Sequence, residues 1–367
     1  MAEGRLQALS AAGVSVWIDT LSRELLDSGE LERLVREDAV VGVTSNPTIF
    51  QQALADGDRY DERLARAARA HADPADIFFA VAAEDVRDAC DLLRPVWERT
   101  GGIDGWVSLE VDPALAYDRE ATFAQALSLH ALVARPNLYV KIPATQTCLG
   151  AIEDCIARGR SINVTLIFSL KRYAAVAEAY VRGLERLIAA GGDPAKVASV
   201  ASFFVSRVDT EADRRLAELG RVDLQGRLAV ANAKLAYAHW QEAFSGERWT
   251  TLAGKGGRPQ RCLWASTSTK NPAYRDVVYV EELVGPETVN TMPAETIAAF
   301  RDHGDVRGAT LLEGVEEARA LFATLSEVGL DVADVGAVLE RDGVEKFAAS
   351  FTSLLDGVRG RAAALVG

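Results

Sequence analysis

The residue with the most chemical consequence is Lys141, set in the otherwise apolar run Leu138-Tyr139-Val140-Lys141-Ile142-Pro143-Ala144-Thr145. Carrying an ammonium into low dielectric is costly, so such a position favours a neutral, nucleophilic amine. That is the group with which a Schiff-base enzyme attacks a carbonyl. The plain alternative is a strand-end lysine that lends its stem to packing and lifts its head to water. What the other apolar runs carry decides between them. One ends Trp17-Ile18-Asp19-Thr20, and another continues as Val43-Thr44-Ser45-Asn46-Pro47-Thr48. A third reads Val107-Ser108-Leu109-Glu110-Val111-Asp112-Pro113. Two more are Ile162-Asn163-Val164-Thr165-Leu166-Ile167-Phe168-Ser169 and Ala201-Ser202-Phe203-Phe204-Val205-Ser206-Arg207. Alternation along a strand gives Asn163 and Thr165 a common face, and likewise Ser202 and Phe204. Taken singly, each polar residue has a structural use. Asp19 and Asp112 would cap helices, Asn46-Pro47 would turn the chain, Glu110 would pair with a surface cation, and Arg207 would neutralise Asp209 or Glu211. Asp112, Ser108 and Thr44 are taken in that structural sense. The remainder, converging on one place, form a set able to make an imine, move protons and grip an anion.

Convergence requires a frame. Short β-rich runs alternate with longer helical ones, the pattern of βα units around a parallel sheet. The strands are expected at Ser15–Ile18, Val40–Thr44, Trp106–Glu110, Leu138–Ile142, Ile162–Leu166, Val197–Phe204, Arg261–Ala265 and Thr288–Met292. Eight such units close a (β/α)8 barrel, whose chemistry collects at the C-terminal ends of the strands. Ser169 is placed to cap a helix reaching Ile188, with Tyr173, Val176, Tyr180, Leu184 and Ile188 on its barrel face. The segment from Ile49 to Gly105 holds at least two helices, and Val208 to Pro259 two more before the loop Gly254-Lys255-Gly256-Gly257. Ala294 to Val366 reads as helical, broken at Gly304, Gly329-Leu330-Asp331 and Gly357. No linker or repeat divides the chain, so the expectation is one barrel domain over residues 1–367.

Composition narrows the function. Forty Lys+Arg against 53 Asp+Glu give a net charge of −13, which argues against a general nucleic-acid or anionic-membrane surface. A few cations in a cleft would still suffice for a phosphorylated substrate. The N-terminus has no signal-peptide pattern and no apolar run is long enough to span a bilayer, so a cytoplasmic protein is expected. Cys90, Cys148, Cys155 and Cys262 lack paired spacing and read as reduced thiols. The four histidines, at 71, 130, 239 and 303, form no ligand pattern, so no metal is expected. The glycine-rich loop at 254–257 lacks a following Ser/Thr at nucleotide-loop spacing.

These motifs, in this order, resemble transaldolases. Thr44-Ser45-Asn46-Pro47-Thr48 and Val140-Lys141-Ile142-Pro143-Ala144 are similar to the family's two signature regions, and the likeness runs from about Val14 to Met292. It is closest in kind to the monofunctional, actinobacterial-type members. The resemblance implies a (β/α)8 barrel that moves a dihydroxyacetone unit between sugar phosphates in the pentose phosphate pathway, without metal or cofactor. It implies a Schiff base on Lys141, a proton shuttle at Asp19, and Glu110 working with a water as acid and base. Asn46 and Asn163 would hold the dihydroxyacetone hydroxyls, Thr165 the water, and Phe204 would line the site. Ser202, Arg207 and Ser266 would bind substrate. The family's strand-seven ending has an Arg for phosphate; this chain has Ala265-Ser266-Thr267-Ser268-Thr269-Lys270-Asn271-Pro272, two residues longer, with Lys270 taken as the substitute. A homodimer is allowed by the resemblance but not specified by it.

Two other functions compete. A fructose 6-phosphate aldolase would use the same amine; the small aldolases of this superfamily carry Gln and Tyr where this chain has Glu110 and Phe204. A non-catalytic sugar-phosphate-binding barrel would have no need of Lys141. A transaldolase fused to an isomerase would need a further domain, and no segment of the chain is set apart to hold one.

Overall fold

Polar groups at the ends of eight strands meet only if the strands run parallel and the sheet closes on itself. The computed structural model, which describes residues 4–55 and 57–366, has that form. Strands β1 (Val14–Ile18), β2 (Val40–Val43), β3 (Trp106–Glu110), β4 (Leu138–Pro143), β5 (Ile162–Ile167), β6 (Ser199–Phe204), β7 (Arg261–Ala265) and β8 (Thr288–Met292) pair in parallel in chain order. β8 closes on β1. All lie within two residues of the expected spans. β6 starts at Ser199 rather than Val197 because the chain first makes the tight turn Pro194–Lys196, with the Val197 amide bonded back to the Pro194 carbonyl.

Register sets the chemistry. Glu110 of β3 lies opposite Lys141 of β4, and Lys141 opposite Asn163 of β5. One layer deeper the barrel is aromatic. Tyr139, two residues before Lys141 and so on its face, stacks on Trp106 at 4.1 Å between centroids and on Trp17 at 6.2 Å. Gly42 of β2 makes room for this layer, since a Cβ there would lie 2.4 Å from the Trp17 indole. Near the rim of β5 the register slips between Val164 and Ile167, with Leu166 at φ +59°. A bulge of this kind re-aims side chains, and here it falls beside Thr165.

The helices follow their caps. Ser169 Oγ accepts from the Arg172 amide at 3.2 Å and opens the helix Leu170–Ala189. The first long connection holds three helices, Pro47–Ala55, Asp61–Ala70 and Pro74–Arg99, and the second holds Ser206–Glu218, Leu228–Ala243 and Gly246–Ala253. The expected break at Gly357 is absent: a single helix runs from Val332 to Val366. Glycine inside a helix costs only about 1 kcal/mol against alanine, which the buried stripe Phe347, Phe351, Leu354, Val358 outweighs. The other two expected breaks are present: the helices stop at Gly304 and again over Gly329-Leu330-Asp331, and the first interruption extends over 304–314, where only the short turn Thr310–Leu312 is helical. The C-terminal helix packs on Pro47–Ala55 and Asp61–Ala70. It approaches the β5 rim closely at Gly336, where a Cβ would sit 2.9 Å from that of Ser169. The four cysteines are buried and unbridged, and no helix among the described residues is long and apolar enough to cross a membrane.

Candidate active site

The Lys141 side chain rises from β4 into the barrel's C-terminal mouth and is 5% exposed. Its Nζ donates to the Ser45 carbonyl at 2.8 Å and stands 3.6 Å from Glu110 Oε2. The Ser45 carbonyl is held in place by its own residue, whose hydroxyl donates to the Ser108 carbonyl at 2.9 Å. Glu110 is 7% exposed, and its Oε2 is a buried acceptor without a hydrogen-bond partner. Burial is the main reason its carboxyl is pushed up to about 7; Lys141 opposes the rise and Asp19 adds to it. Behind Glu110 the wall is phenyl: Phe50, Phe78 and Phe351 border the small cavity it faces. Phe78 meets Phe50 and Phe351 edge-on at 5.4 and 5.5 Å.

Asp19 follows β1 on the same rim. Thr44 Oγ1 donates to its Oδ1 at 2.7 Å, and Thr291 lies 2.7 Å from that hydroxyl. With its proton committed to Asp19, the Thr44 hydroxyl must accept from Thr291. Burial raises the Asp19 carboxyl above its ordinary value, against the pull of Lys141, Thr44 and Arg207. Asn163, fully buried, donates from Nδ2 to Ser108 Oγ at 3.1 Å and accepts from Ser202 Oγ at 2.6 Å. Thr165 Oγ1 is buried with no partner.

A cavity of about 390 Å³ gathers these groups. Its wall includes Lys141, Asp19, Asn46, Thr165, Ser202, Phe204, Arg207, Ser266 and Lys270. Glu110 and Asn163 stand just behind it. Arg207 forms no ion pair among the described residues, and its guanidinium lies 5.4 Å above the Phe204 ring. Asp209 is taken by Tyr279 and the Ala229 amide, and Glu211 by Arg214 and Arg215, so the neutralisation weighed from sequence does not occur. A largely buried, unpaired guanidinium facing a cavity is a ready partner for an anion. The Glu110 carboxyl near neutrality, a buried amine beside it and an unpartnered hydroxyl where a water would fit together suit addition to a carbonyl and loss of water. Among the described residues no group of His, Cys, Asp and Glu side chains could hold a metal ion.

Comparison with known proteins shows the family of the chain. The family model described as transaldolase/fructose-6-phosphate aldolase matches residues 16–358. Among curated proteins, the "Transaldolase" of Parafrankia sp. (strain EAN1pec) is 53% identical over 357 residues, covering 96% of this chain and 97% of that one. That of Acidothermus cellulolyticus is 54% identical over 355 residues, with 96% and 95% covered. That of Mycobacterium tuberculosis (strain CDC 1551 / Oshkosh) is 52% identical over 358 residues, with 96% of each covered. The chain belongs to the transaldolase/fructose-6-phosphate aldolase family.

Within this transaldolase-type barrel the residues named from sequence fall into four groups, one of them Glu110 and Asn163 behind the cavity. Lys141, Asp19, Thr165, Ser202, Phe204 and Arg207 line the cavity. Asn46 does so while also capping a helix, its Oδ1 accepting from the Ile49 amide at 3.1 Å, which leaves Nδ2 for the cavity. Ser266 and Lys270 are at the lip. Ser266 has φ +55° and lies 3.0 Å from the Ser206 hydroxyl, while the exposed Lys270 donates to Ser268 at 2.7 Å. Asp112 is the cap it was taken for, accepting from the Ala114 amide at 2.8 Å. Thr44 and Ser108 are structural in a stronger sense than expected, because they orient Asp19 and Asn163. Thr291, Gln52, Glu295 and Phe347 also line the cavity and were not named from sequence. Alternation within Thr288–Met292 would have flagged Thr291. Nothing local flags Phe347, which arrives on the C-terminal helix.

Proposed function

We propose that the chain is a transaldolase acting through an imine on Lys141. It would transfer a dihydroxyacetone unit from sedoheptulose 7-phosphate to glyceraldehyde 3-phosphate, giving erythrose 4-phosphate and fructose 6-phosphate. The observation that carries the reading is the Lys141 amine, buried between the Ser45 carbonyl and the Glu110 carboxyl with Asp19 across the same cavity. The amine adds to the ketone carbon, and the carbinolamine loses its oxygen as water, the proton coming from Glu110 through a water beside Thr165. The iminium then accepts the electron pair of the breaking C3–C4 bond, while Asp19 takes the C4-hydroxyl proton. An aldose phosphate leaves and an enamine remains. Asn46 Nδ2 and Asn163 would hold its hydroxyls, and Arg207, with Ser202, Ser266 and Lys270, the phosphate of the entering aldehyde. Bond formation and hydrolysis reverse these steps.

The other activity in the family's description, aldol cleavage with release of free dihydroxyacetone, needs no acceptor. Glu110 and Phe204 favour transfer. Turnover of fructose 6-phosphate should therefore depend on added erythrose 4-phosphate; an equal rate without it would make the enzyme an aldolase. The same reading takes the chain as one cytoplasmic barrel domain. A homodimer is the assembly to look for by sedimentation.

A further inference from the structure

A cavity of about 520 Å³, larger than the cleft around Lys141, opens at the opposite, N-terminal end of the barrel, among Ser15, Tyr139, Ser199, Arg258 and Arg261. A neighbouring cavity of about 380 Å³ shares Gly101, Ala198 and Arg258 with it and adds Trp97, His130 and Arg160. Most cations here are spent. Arg261 pairs with Asp104 at 3.1 Å, Arg135 with Asp91 at 2.6 Å and Lys196 with Asp193 at 3.7 Å. Arg160 and Arg258 have no ion pair or side-chain hydrogen bond among the described residues, and the one acid left in the lining is Glu287.

A second donor points to the same spot. Trp97 Nε1 is buried without an acceptor. The position a Cβ would take on Gly102 is 3.0 Å from Arg258 Nη1 and 3.3 Å from Trp97 Nε1, so indole N–H and guanidinium converge where glycine leaves space. Both groups only donate, so what they lack is an acceptor, and a negatively charged one for the arginine. His130 stays neutral beside Arg160, because burial and that arginine push it down to about 4. In a chain of net charge −13 this is a local exception to the overall field.

We propose that the two cavities form a second anion site that takes a small phosphorylated molecule, phosphate oxygens meeting Arg258 and the Trp97 N–H, and a further anionic group meeting Arg160. The site lies under Tyr139, on the β4 face that also carries Lys141.

Calorimetric titration with inorganic pyrophosphate tests this on the full chain. Wild type should bind at two sites. Arg207→Gln should remove the one at the C-terminal mouth and leave the other. Arg160→Gln/Arg258→Gln should do the reverse, with transferase turnover and melting temperature kept. Because Arg258 is partly buried, Arg160→Gln alone, an exposed change, is the control for folding; it should weaken the second site roughly ten- to a hundredfold, in line with loss of a charged hydrogen bond. Loss of all pyrophosphate binding in Arg207→Gln, or unchanged binding in Arg160→Gln and the double variant, would overturn the proposal.

Discussion

Glu110 is the residue whose environment says most about its work. A carboxyl near 7 holds a proton to give and, once ionised, a place to receive one at working pH. Glu110→Gln removes this exchange without removing bulk, so kcat should fall by about 10²–10⁴, with little change in KM for the ketose phosphate. The substitution also has a signature in stability. The folded protein holds the Glu110 proton up to about pH 7, whereas the unfolded chain releases it in the ordinary carboxylate range. The stability this contributes is present below that range and is lost as pH rises through about 7. Melting temperature of Glu110→Gln relative to wild type should therefore climb between about pH 5 and pH 8; a flat or falling difference would contradict the raised carboxyl. Arg207→Lys keeps the charge but loses the fork, and should raise KM roughly ten- to a hundredfold with kcat nearly kept, as expected for about 1.5–3 kcal/mol of charged hydrogen bonding. Lys141 and Glu110 were legible in the sequence because a charge in an apolar strand needs a reason. Thr44 and Ser108 were read only as structural and Thr291 was not named, since hydroxyls are ordinary in strands and their orienting role exists only once the strands of the closed barrel are assembled.

At the scale of elements, the C-terminal helix is part of the site rather than an appendage. Phe351 closes the phenyl wall behind Glu110, and Phe347 reaches the cavity itself. Phe351→Ala should cost about 3–5 kcal/mol, the usual range for a buried phenyl. Water entering behind Glu110 should also return its carboxyl towards the ordinary range, so the limb of the pH–rate profile governed by Glu110 moves to lower pH. A destabilised variant with an unmoved limb would leave the helix a merely structural role. Helix starts were readable where an oxygen-bearing cap preceded an apolar period, as at Ser169. The number of helices in the two long connections was not, and the Gly357 break failed because burial along the helix outweighs one glycine's propensity. Nor could the packing of this helix against Pro47–Ala55 be read from either segment alone.

At the scale of the whole molecule, eight alternating runs were enough to specify a closed parallel barrel, because buried parallel strands are nearly all apolar and their exceptions stand out. Which side chains share the mouth then followed from register: Glu110, Lys141 and Asn163 lie on one rung. The chain as a whole is strongly acidic, yet the cleft presents Lys141, Arg207 and Lys270 to whatever enters. That local field, not the net charge, suits a phosphorylated ketose. The central claim is that Lys141 bonds covalently to such a substrate. Incubation with fructose 6-phosphate, reduction with borohydride and peptide mass mapping tests it most directly. The reduced adduct should appear on the peptide carrying Lys141 and on no other; an adduct on Lys255 or Lys270 instead, or none at all, would contradict the account.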